Sequence, residues 1–316
     1  HFLLSFLFAL FSLDFTVAQQ QPEIIPIPTT YLLNQGEFQW DNKVGLVLEN
    51  FPNQGNYLQQ EALRLLNLPL QEIESVSKTI LIRKVNDLKE GYTLDIQQNS
   101  VTIEAADETG AFYGVISLLQ LAHASKEKNG KIILPNWKIQ DSPKYEWRGI
   151  MLDESRYFFG MEKVKQLLDH MAYYKLNTFH WHLTDAPGWR IEIKNFPKLT
   201  TVGGIGNQSE PNAPAAYYTQ EEIKEIVRYA RERMIRVIPE IDMPGHATAA
   251  NRAYPEHSGG GSEKYPDFTF HPAKETTYAY LSQILHEVDA LFPSNMMHLG
   301  GDEVSFGNQM WPKDPD

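Results

Sequence analysis

The residues most able to do chemistry are two adjacent carboxylates, Asp302 and Glu303, which follow the dipeptide Gly300-Gly301. Glycine lets the backbone turn sharply and approach a ligand closely, so both carboxylates can face one bound molecule. Neighbouring negative charges disfavour double ionisation, which leaves a general acid beside a permanent anion. Cleavage of a glycosidic bond needs that combination. Most Asp-Glu pairs are solvated acidic turns. Whether this pair is catalytic therefore depends on its position in the fold.

Three further groups of ionisable and aromatic residues follow apolar segments that are typical of short buried strands. These groups are Asp153, Glu154 and Arg156; Asp185, Trp189 and Arg190; and Glu240, Asp242 and His246. In a βα barrel, the chemistry lies at the carboxyl ends of the strands. Every predicted strand brings ionisable residues to the same rim, which indicates an active site without naming its reaction. On its own, Arg156 fits a clamp for sugar hydroxyls or a carboxylate as well as it fits a salt bridge at a helix start.

His180-Trp-His182 places two imidazoles on one face of a predicted strand, because side chains repeat every two residues. Two histidines at the end of a barrel strand can bind a divalent metal, which is the basis for an alternative hypothesis of a metal-dependent amidohydrolase. The other interpretation is a pair of hydrogen-bonded interior histidines. We favour the second, because the metal motif is expected on the first barrel strand. We therefore predict no metal and no cofactor.

The elements that position these residues fall into two regimes. Residues 19–145 predict a small α+β domain with short strands, a hairpin around Gln97–Ser100 and one helix, but no visible chemistry. In residues 146–316, strands alternate with helices, and Thr219 and Glu222 form a capping box that begins one of those helices. The predicted strands of this second regime are Ile150–Leu152, Thr178–Leu183, Arg236–Glu240 and Met297–Gly300.

This alternation predicts parallel strands joined by right-handed crossovers. Both a (β/α)8 barrel and an open doubly wound sheet begin with three βα units and a fourth strand. A barrel needs about 250 residues, which is more than the chain has after Trp147. The pattern therefore stops part-way through either architecture.

Composition excludes several classes of protein. The chain has 316 residues, no cysteine, and a formal charge of -12 from 28 Lys+Arg and 40 Asp+Glu. This acidic balance argues against a nucleic-acid partner, because phosphates need clustered basic residues. The lack of cysteine excludes thiol nucleophiles, disulfides and cysteine-ligated zinc or iron–sulfur clusters.

Residues 1–18 are typical of a secretory signal peptide. Their apolar run is shorter than the ~20 residues that a membrane-spanning helix needs, and Thr16 and Ala18 supply small residues for cleavage. The chain begins at His1 without the usual basic residues, so we expect this start to be incomplete. The prediction is an exported protein, periplasmic or secreted, without stable membrane insertion.

Four segments together resemble glycoside hydrolase family 20, the β-N-acetylhexosaminidases. They are Arg148–Arg156, His180–Asp185, Pro239–His246 and His298–Glu303. They occur in the family order, and the resemblance extends from about Gln19 to the end of the chain. It implies an α/β fold in which a small α+β domain precedes a (β/α)8 TIM barrel, here truncated after about the fourth strand. A tyrosine, tryptophans and an acidic residue of the family site belong to later strands, so we expect a fragment that lacks roughly half its barrel.

The resemblance implies an exo-acting enzyme that hydrolyses terminal, non-reducing, β-linked GlcNAc or GalNAc. The substrate's own acetamido oxygen would attack the anomeric carbon and form an oxazolinium ion, so no second carboxylate nucleophile is needed. Glu303 matches the acid that protonates the leaving oxygen and later activates water. Asp302 matches the residue that orients the acetamido group and stabilises the positive charge.

The remaining site residues also come from the resemblance. Arg156 matches an arginine that binds the ring hydroxyls, and Asp185 and His246 match a polar network behind the acid, which Asp242 would support. Partners would be oligosaccharides or glycoconjugates with terminal N-acetylhexosamine. The absence of cysteine favours a bacterial setting over the disulfide-linked lysosomal relatives. A non-catalytic sugar-binding relative is a further alternative, which the intact pair Asp302 and Glu303 disfavours.

Overall fold

The structure is a computed structural model, and it has two sheets flanked by helices. The residues that it describes are 20–73, 76–86, 90–125, 132–263 and 266–304. The predicted signal peptide at 1–18 lies outside this part of the chain. Among the residues described, no helix is both long and apolar enough to cross a membrane.

The first sheet has seven strands, in the order β1-β7-β5-β6-β4-β2-β3. The strands are β1 (Thr30–Trp40), β2 (Gly45–Leu48), β3 (Gln71–Glu72), β4 (Thr79–Lys84), β5 (Tyr92–Gln97), β6 (Ser100–Ala105) and β7 (Ile132–Asp141). Residues alternate between buried and half-buried along β6, which is the pattern expected of a sheet with one face against a core. The predicted hairpin is present, because Gln97 pairs with Ser100 across a two-residue loop. The sequence pattern gave no sign of the long β1–β7 pair.

Two helices pack on this sheet, α1 (Pro52–Glu61) and α2 (Glu108–Ala124), and a π-helical turn at Ala62–Leu66 follows α1. The Asp107 side chain caps α2 by accepting a 2.8 Å hydrogen bond from the Gly110 amide. Every residue from Gly110 to Ala122 is buried. A helix that is buried all round has to lie inside a core, and α2 lies between the first sheet and the elements that follow.

The second sheet carries the candidate site. Its strands are β8 (Gly149–Asp153), β9 (Thr178–Asp185), β10 (Gly188–Trp189) and β11 (Arg236–Ile241). Both β8 and β11 pair in parallel with β9, as predicted, and the short β10 turns back antiparallel to it. The helices that follow these strands are α3 (Met161–Tyr173), α4 (Lys198–Thr201), α5 (Gln220–Arg231), α6 (Thr248–Ala253) and α7 (Glu275–Asp289), with a 3-10 turn at Pro255–His257.

The predicted strand at Met297–Gly300 is reduced to one parallel bridge between His298 and Glu240. The segment does run beside β11, because the His298 amide donates to the Pro239 carbonyl and the Ile241 amide donates to the His298 carbonyl. At Gly300, however, φ is +66° and the chain turns away. The prediction of a strand over Met297–Gly300 was therefore wrong, because only His298 forms a bridge. The segment does lie next to β11, where a fourth parallel strand was expected.

Lys175 connects helix α3 to the first sheet. It follows α3, and its ammonium lies 3.1 Å from the Tyr92 hydroxyl on β5 and 3.6 Å from an Asp141 carboxylate oxygen on β7. Burial lowers the pKa of Lys175 to about 8, against the opposing effect of Asp141. An ion pair this well buried needs its partner in place, which ties the orientation of α3 to the first sheet.

Candidate active site

The carboxyl ends of three parallel strands bring the candidate residues together. Asp153 ends β8, Asp185 ends β9, and Glu240 lies one residue before the end of β11. Because the strands are parallel and paired through β9, these ends share one edge of the sheet. The polar loops that follow them therefore meet at that edge.

Asp185 is buried and contacts nitrogen atoms of three side chains. Its carboxylate lies 2.8 Å from His246 Nδ1, 3.1 Å from His182 Nε2 and 2.9 Å from an Arg156 guanidinium nitrogen. Burial alone would raise the pKa of Asp185, but the hydrogen bonds from His182 and His246 outweigh it and hold that pKa well below its usual range. Asp185 is therefore a fixed anion in this site. Arg156 is held from its other side by Asp153.

Glu240 is a second buried carboxylate with several imidazole partners. Its oxygens lie 2.6 Å from His180 Nε2, 2.8 Å from His182 Nδ1 and 3.2 Å from His298 Nδ1. Burial raises the pKa of Glu240, but the hydrogen bonds from His180 and His182 dominate and lower it. His180 and His182 are thus hydrogen-bonded to a carboxylate on the neighbouring strand, as the interpretation that we favoured from the sequence expects.

His182 lies between the two carboxylates, with one ring nitrogen on Glu240 and the other on Asp185. Burial lowers the pKa of His182, whereas the hydrogen bonds to Asp185 and Glu240 together raise it to about 10. The ring therefore carries a proton on each nitrogen near neutral pH and is an imidazolium between two anions.

The adjacent carboxylates Asp302 and Glu303 lie on the other side of His246. The Nε2 atom of His246 is 3.6 Å from a Glu303 oxygen and 3.9 Å from an Asp302 oxygen. This nitrogen is buried and has no hydrogen-bond partner among the residues described. The side chains of Asp302 and Glu303 are 67% and 79% exposed, so both can reach a bound molecule.

Asp242 supports the turn that carries this pair. One of its carboxylate oxygens accepts a 3.1 Å hydrogen bond from the Gly301 amide. A Cβ atom at Gly300 would lie 1.7 Å from the same oxygen, so only glycine fits there. Burial raises the pKa of Asp242 to about 6, because a single backbone amide compensates little of the lost hydration.

The structure thus brings together all six residues that the sequence and the resemblance put forward. They are Arg156, Asp185, Asp242, His246, Asp302 and Glu303. Sequence reasoning did not assign a role to His182 or Glu240, although both stood in the motifs. The only available signal was their position at strand ends, because Glu240 on β11 meets His180 and His182 on β9 only in the folded chain.

Two ionisable residues of the predicted rim point inward instead. Glu154 is buried, and its carboxylate accepts hydrogen bonds from the Trp181 indole, the Tyr218 hydroxyl and two backbone amides. Arg190 is also buried, and its guanidinium donates to the backbone carbonyls of several loop residues. These two residues hold the loops behind the site and have no access to a ligand.

Three groups of side chains offer metal-ligating atoms within 4.8 Å of one another. They are His180, Glu240 and His298; His182, Asp185 and Asp242; and Asp242, His246 and Asp302. Of the histidines in the first two groups, His180 and His182 already donate hydrogen bonds to Glu240 or Asp185. A metal ion would have to displace the protons on these ring nitrogens. The arrangement of the histidines therefore fits a hydrogen-bonded network better than a metal site.

Comparison with known protein families decides the relationship. The profile for the glycosyl hydrolase family 20 catalytic domain matches residues 145–316, and the profile for domain 2 of the same family matches residues 21–142. The chain belongs to glycosyl hydrolase family 20. This confirms the resemblance read from the four motifs and removes the basis for an amidohydrolase.

Relatives of known name agree with this family. A β-hexosaminidase of Vibrio furnissii is 40% identical over 277 residues, which cover 82% of this chain and 44% of the relative. A β-hexosaminidase of Porphyromonas gingivalis is 41% identical over 226 residues, which cover 68% of this chain and 29% of the relative. The chain thus spans less than half the length of these two family members.

Solved structures of family 20 have the same fold over nearly the whole chain. An exo-β-N-acetylglucosaminidase from Vibrio harveyi, solved in complex with N-acetylglucosamine, has a TM-score of 0.85 and 33% identity; the match covers 93% of this chain and 48% of that one. A Streptomyces plicatus β-hexosaminidase mutant in complex with the product GlcNAc has a TM-score of 0.79 and 32% identity, with 90% and 60% coverage.

Proposed function

We propose that the whole protein is an exo-acting β-N-acetylhexosaminidase that removes terminal, β-linked GlcNAc or GalNAc from glycans. The observation that supports this most directly is the pair Asp302 and Glu303 beside His246, which Asp185 holds. Two neighbouring carboxylates suit a reaction in which the substrate supplies its own nucleophile. We also propose that the second sheet belongs to a (β/α)8 barrel, as its parallel β8-β9-β11 order suggests.

In the first step, the acetamido oxygen of the substrate would attack the anomeric carbon while the bond to the leaving oxygen breaks. Glu303 would give its proton to that leaving oxygen, and Asp302 would hold the acetamido N–H and balance the positive charge of the oxazolinium ion. In the second step, a water would attack the anomeric carbon and return a proton to Glu303. The oxazolinium ring opens to restore the acetamido group, and the anomeric configuration of the sugar is retained.

Arg156 is the proposed anchor for the sugar. Its side chain is 40% exposed, while Asp153 and Asp185 fix its guanidinium group from two sides. Guanidinium N–H groups fixed in this way can donate to ring hydroxyls with little loss of side-chain entropy. A neutral sugar needs no basic surface for binding, so this substrate is compatible with the net negative charge of the chain.

Residues 1–18 support export of the protein to the periplasm or the medium, where glycans with terminal N-acetylhexosamine would be its partners. We also propose a bacterial setting; fractionation of cells that make the whole protein would test the proposed export.

The deciding experiment compares an aryl β-N-acetylglucosaminide with the matching aryl β-glucoside on the whole protein. Only the acetamido sugar can assist its own cleavage, so we expect hydrolysis of the first and none above background of the second. A parallel assay in a chelator should leave the rate unchanged. Equal hydrolysis of both substrates, or loss of activity in the chelator, would contradict the proposal.

A further inference from the structure

His182 connects two buried carboxylates that come from different strands. Its Nδ1 lies 2.8 Å from Glu240 on β11, and its Nε2 lies 3.1 Å from Asp185 at the end of β9. The side chain is 8% exposed, and those of Glu240 and Asp185 are 6% and 2% exposed. A ring with both nitrogens engaged has no freedom to rotate, so it fixes the separation of the two carboxylates.

Asp185 in turn holds His246, which is the imidazole beside Glu303. The described contacts therefore form one continuous series: Glu240, His182, Asp185, His246 and Glu303. The first member, Glu240, is itself anchored by His180 and His298. The series begins at buried Glu240, near the carboxyl end of β11, and ends at the exposed carboxylate pair.

We infer that His182 is a positioning residue for hydrolysis, which acts by holding Asp185 in the orientation that directs His246 toward Glu303. This inference rests on the proposed function and deepens it. His182 does not face the exposed pair itself, so its effect passes through Asp185. Without His182, the Asp185 carboxylate could rotate toward Arg156, which also contacts it, and would then no longer hold His246 in place.

Other charged groups also surround this series. Asp153 on β8 pairs with Arg156 and acts electrostatically on His182, and Asp242 lies close to His182 and Asp185. On the outer side, Asp242 and Asp302 act on His246 together with Asp185. Removing the positive charge of His182 would therefore affect several groups at once. The test has to separate the loss of this charge from the loss of the hydrogen bond between His182 and Asp185.

Two amide substitutions make that separation. Both His182→Asn and His182→Gln remove the imidazolium, but the Asn amide reaches only the Nδ1 position beside Glu240. The longer Gln amide reaches the Nε2 position and can still donate to Asp185. We expect His182→Asn to lower kcat on chitobiose about tenfold or more, since misplacing a catalytic group is costly, and His182→Gln to recover most of it.

The leaving group supplies a second readout. A dinitrophenyl β-N-acetylglucosaminide needs no proton on its leaving oxygen, so we expect His182→Asn to keep its rate on this substrate within about threefold. His180→Gln is the matched control, because His180 contacts the same Glu240 carboxylate but not Asp185. It should not show the selective loss on chitobiose. Thermal unfolding of each variant identifies any that do not fold.

The wild-type protein gives a test without any substitution. In a long-range proton–nitrogen spectrum of the imidazoles, His182 should carry a proton on both ring nitrogens at pH 7. A bare ring nitrogen at that pH would overturn the inference, because one of the two contacts would lack its proton. Equal kinetics of His182→Asn and His182→Gln, or equal losses on both substrates, would also overturn it. If the wild type does not hydrolyse the acetamido substrate, the proposed function fails instead.

Discussion

Asp185 accepts a 2.8 Å hydrogen bond from Nδ1 of His246, which leaves Nε2 as the nitrogen that faces Glu303. At His246, φ is +53°, a left-handed backbone conformation that turns the ring toward the site after Pro244-Gly245. The hydrogen bond to Asp185 raises the pKa of His246, against the opposing effect of burial. Asp185 thus sets both the direction and the proton affinity of the imidazole beside the proposed acid.

The substitution Asp185→Asn should therefore impair acid catalysis selectively. The amide keeps the size of the carboxylate but removes the charge that favours a proton on His246, so the pKa of His246 should fall. We expect kcat on chitobiose to drop about 100-fold or more, which is a usual value for loss of proton transfer. Steady-state kinetics measures this. The control is Asp153→Asn, which weakens the same Arg156 but does not contact His246; similar losses in both variants would argue against a special role for Asp185.

The two adjacent carboxylates should fail in different ways. Glu303→Gln removes the proton donor, so release of poor leaving groups should stop while a dinitrophenyl leaving group still departs. Asp302→Asn weakens the support for the acetamido group, so both substrates should react slowly. Measurement of kcat for each variant on chitobiose and on the dinitrophenyl glycoside separates the two roles. Near-wild-type activity of Glu303→Gln on chitobiose would mean that another group is the acid.

Local patterns predicted much of the second sheet. Thr219 and Glu222 predicted a capping box, and the structure has both of its hydrogen bonds, at 2.8 Å and 3.2 Å. The strands β9 and β11 were recognisable from short segments rich in apolar and β-branched residues, and most of their residues are buried in the structure. Signals of this kind need only neighbours along the chain.

Partners from distant segments were not predictable. The β1–β7 pair joins residues 30–40 to residues 132–141, and a register shift between Leu33 and Glu37 breaks the alternation that would reveal β1. The two-residue spacing of His180 and His182 placed both on one face but could not name Glu240, which lies 60 residues after His180. Spacing indicates which way a side chain points, whereas its charge depends on what the fold brings against it.

Gly300 should be the least replaceable residue of the turn before the carboxylate pair. A Cβ atom there would overlap Asp242 in a region of φ that disfavours side chains, so Gly300→Ala should displace Asp302 and Glu303. The control is Gly301→Ala, which has positive φ as well but no atom of the described residues within 4 Å of the added carbon. We expect a loss of kcat at least about tenfold greater for Gly300→Ala. Equal activity of the two variants would show that the turn accommodates the methyl group.

Arg190 should contribute strongly to stability. Its guanidinium is almost fully buried and donates to carbonyls of Ser155, Gly204, Gly206 and Ala216. Arg190→Met would remove these guanidinium hydrogen bonds from carbonyls inside the fold, although the Gly204 carbonyl keeps its bond from the Ala216 amide, at a cost of about 3–5 kcal/mol of unfolding free energy. Denaturant unfolding measures it. Arg252→Met, a less buried arginine on neighbouring loop carbonyls, should cost less than half as much.

Asp242 should make stability fall as the pH rises from 4 to 7. Burial raises the pKa of Asp242 to about 6 in the folded state, whereas an unfolded aspartate titrates near its ordinary value of 3.8. The folded state therefore binds the proton more tightly. Its contribution is complete below about pH 4 and is lost as the pH passes through about 6. The shift corresponds to a few kcal/mol at most, on the order of 2–3.

The substitution Asp242→Asn removes this titration and keeps the oxygen that accepts from Gly301. Denaturant unfolding of the wild type and the variant, followed from pH 4 to pH 7.5, measures the effect, because the groups that do not interact with Asp242 titrate alike in both proteins. We expect the variant to gain stability relative to the wild type as the pH rises, with the midpoint of that gain between pH 4 and pH 6. A difference that stays constant over this range would mean that folding does not raise the pKa of Asp242.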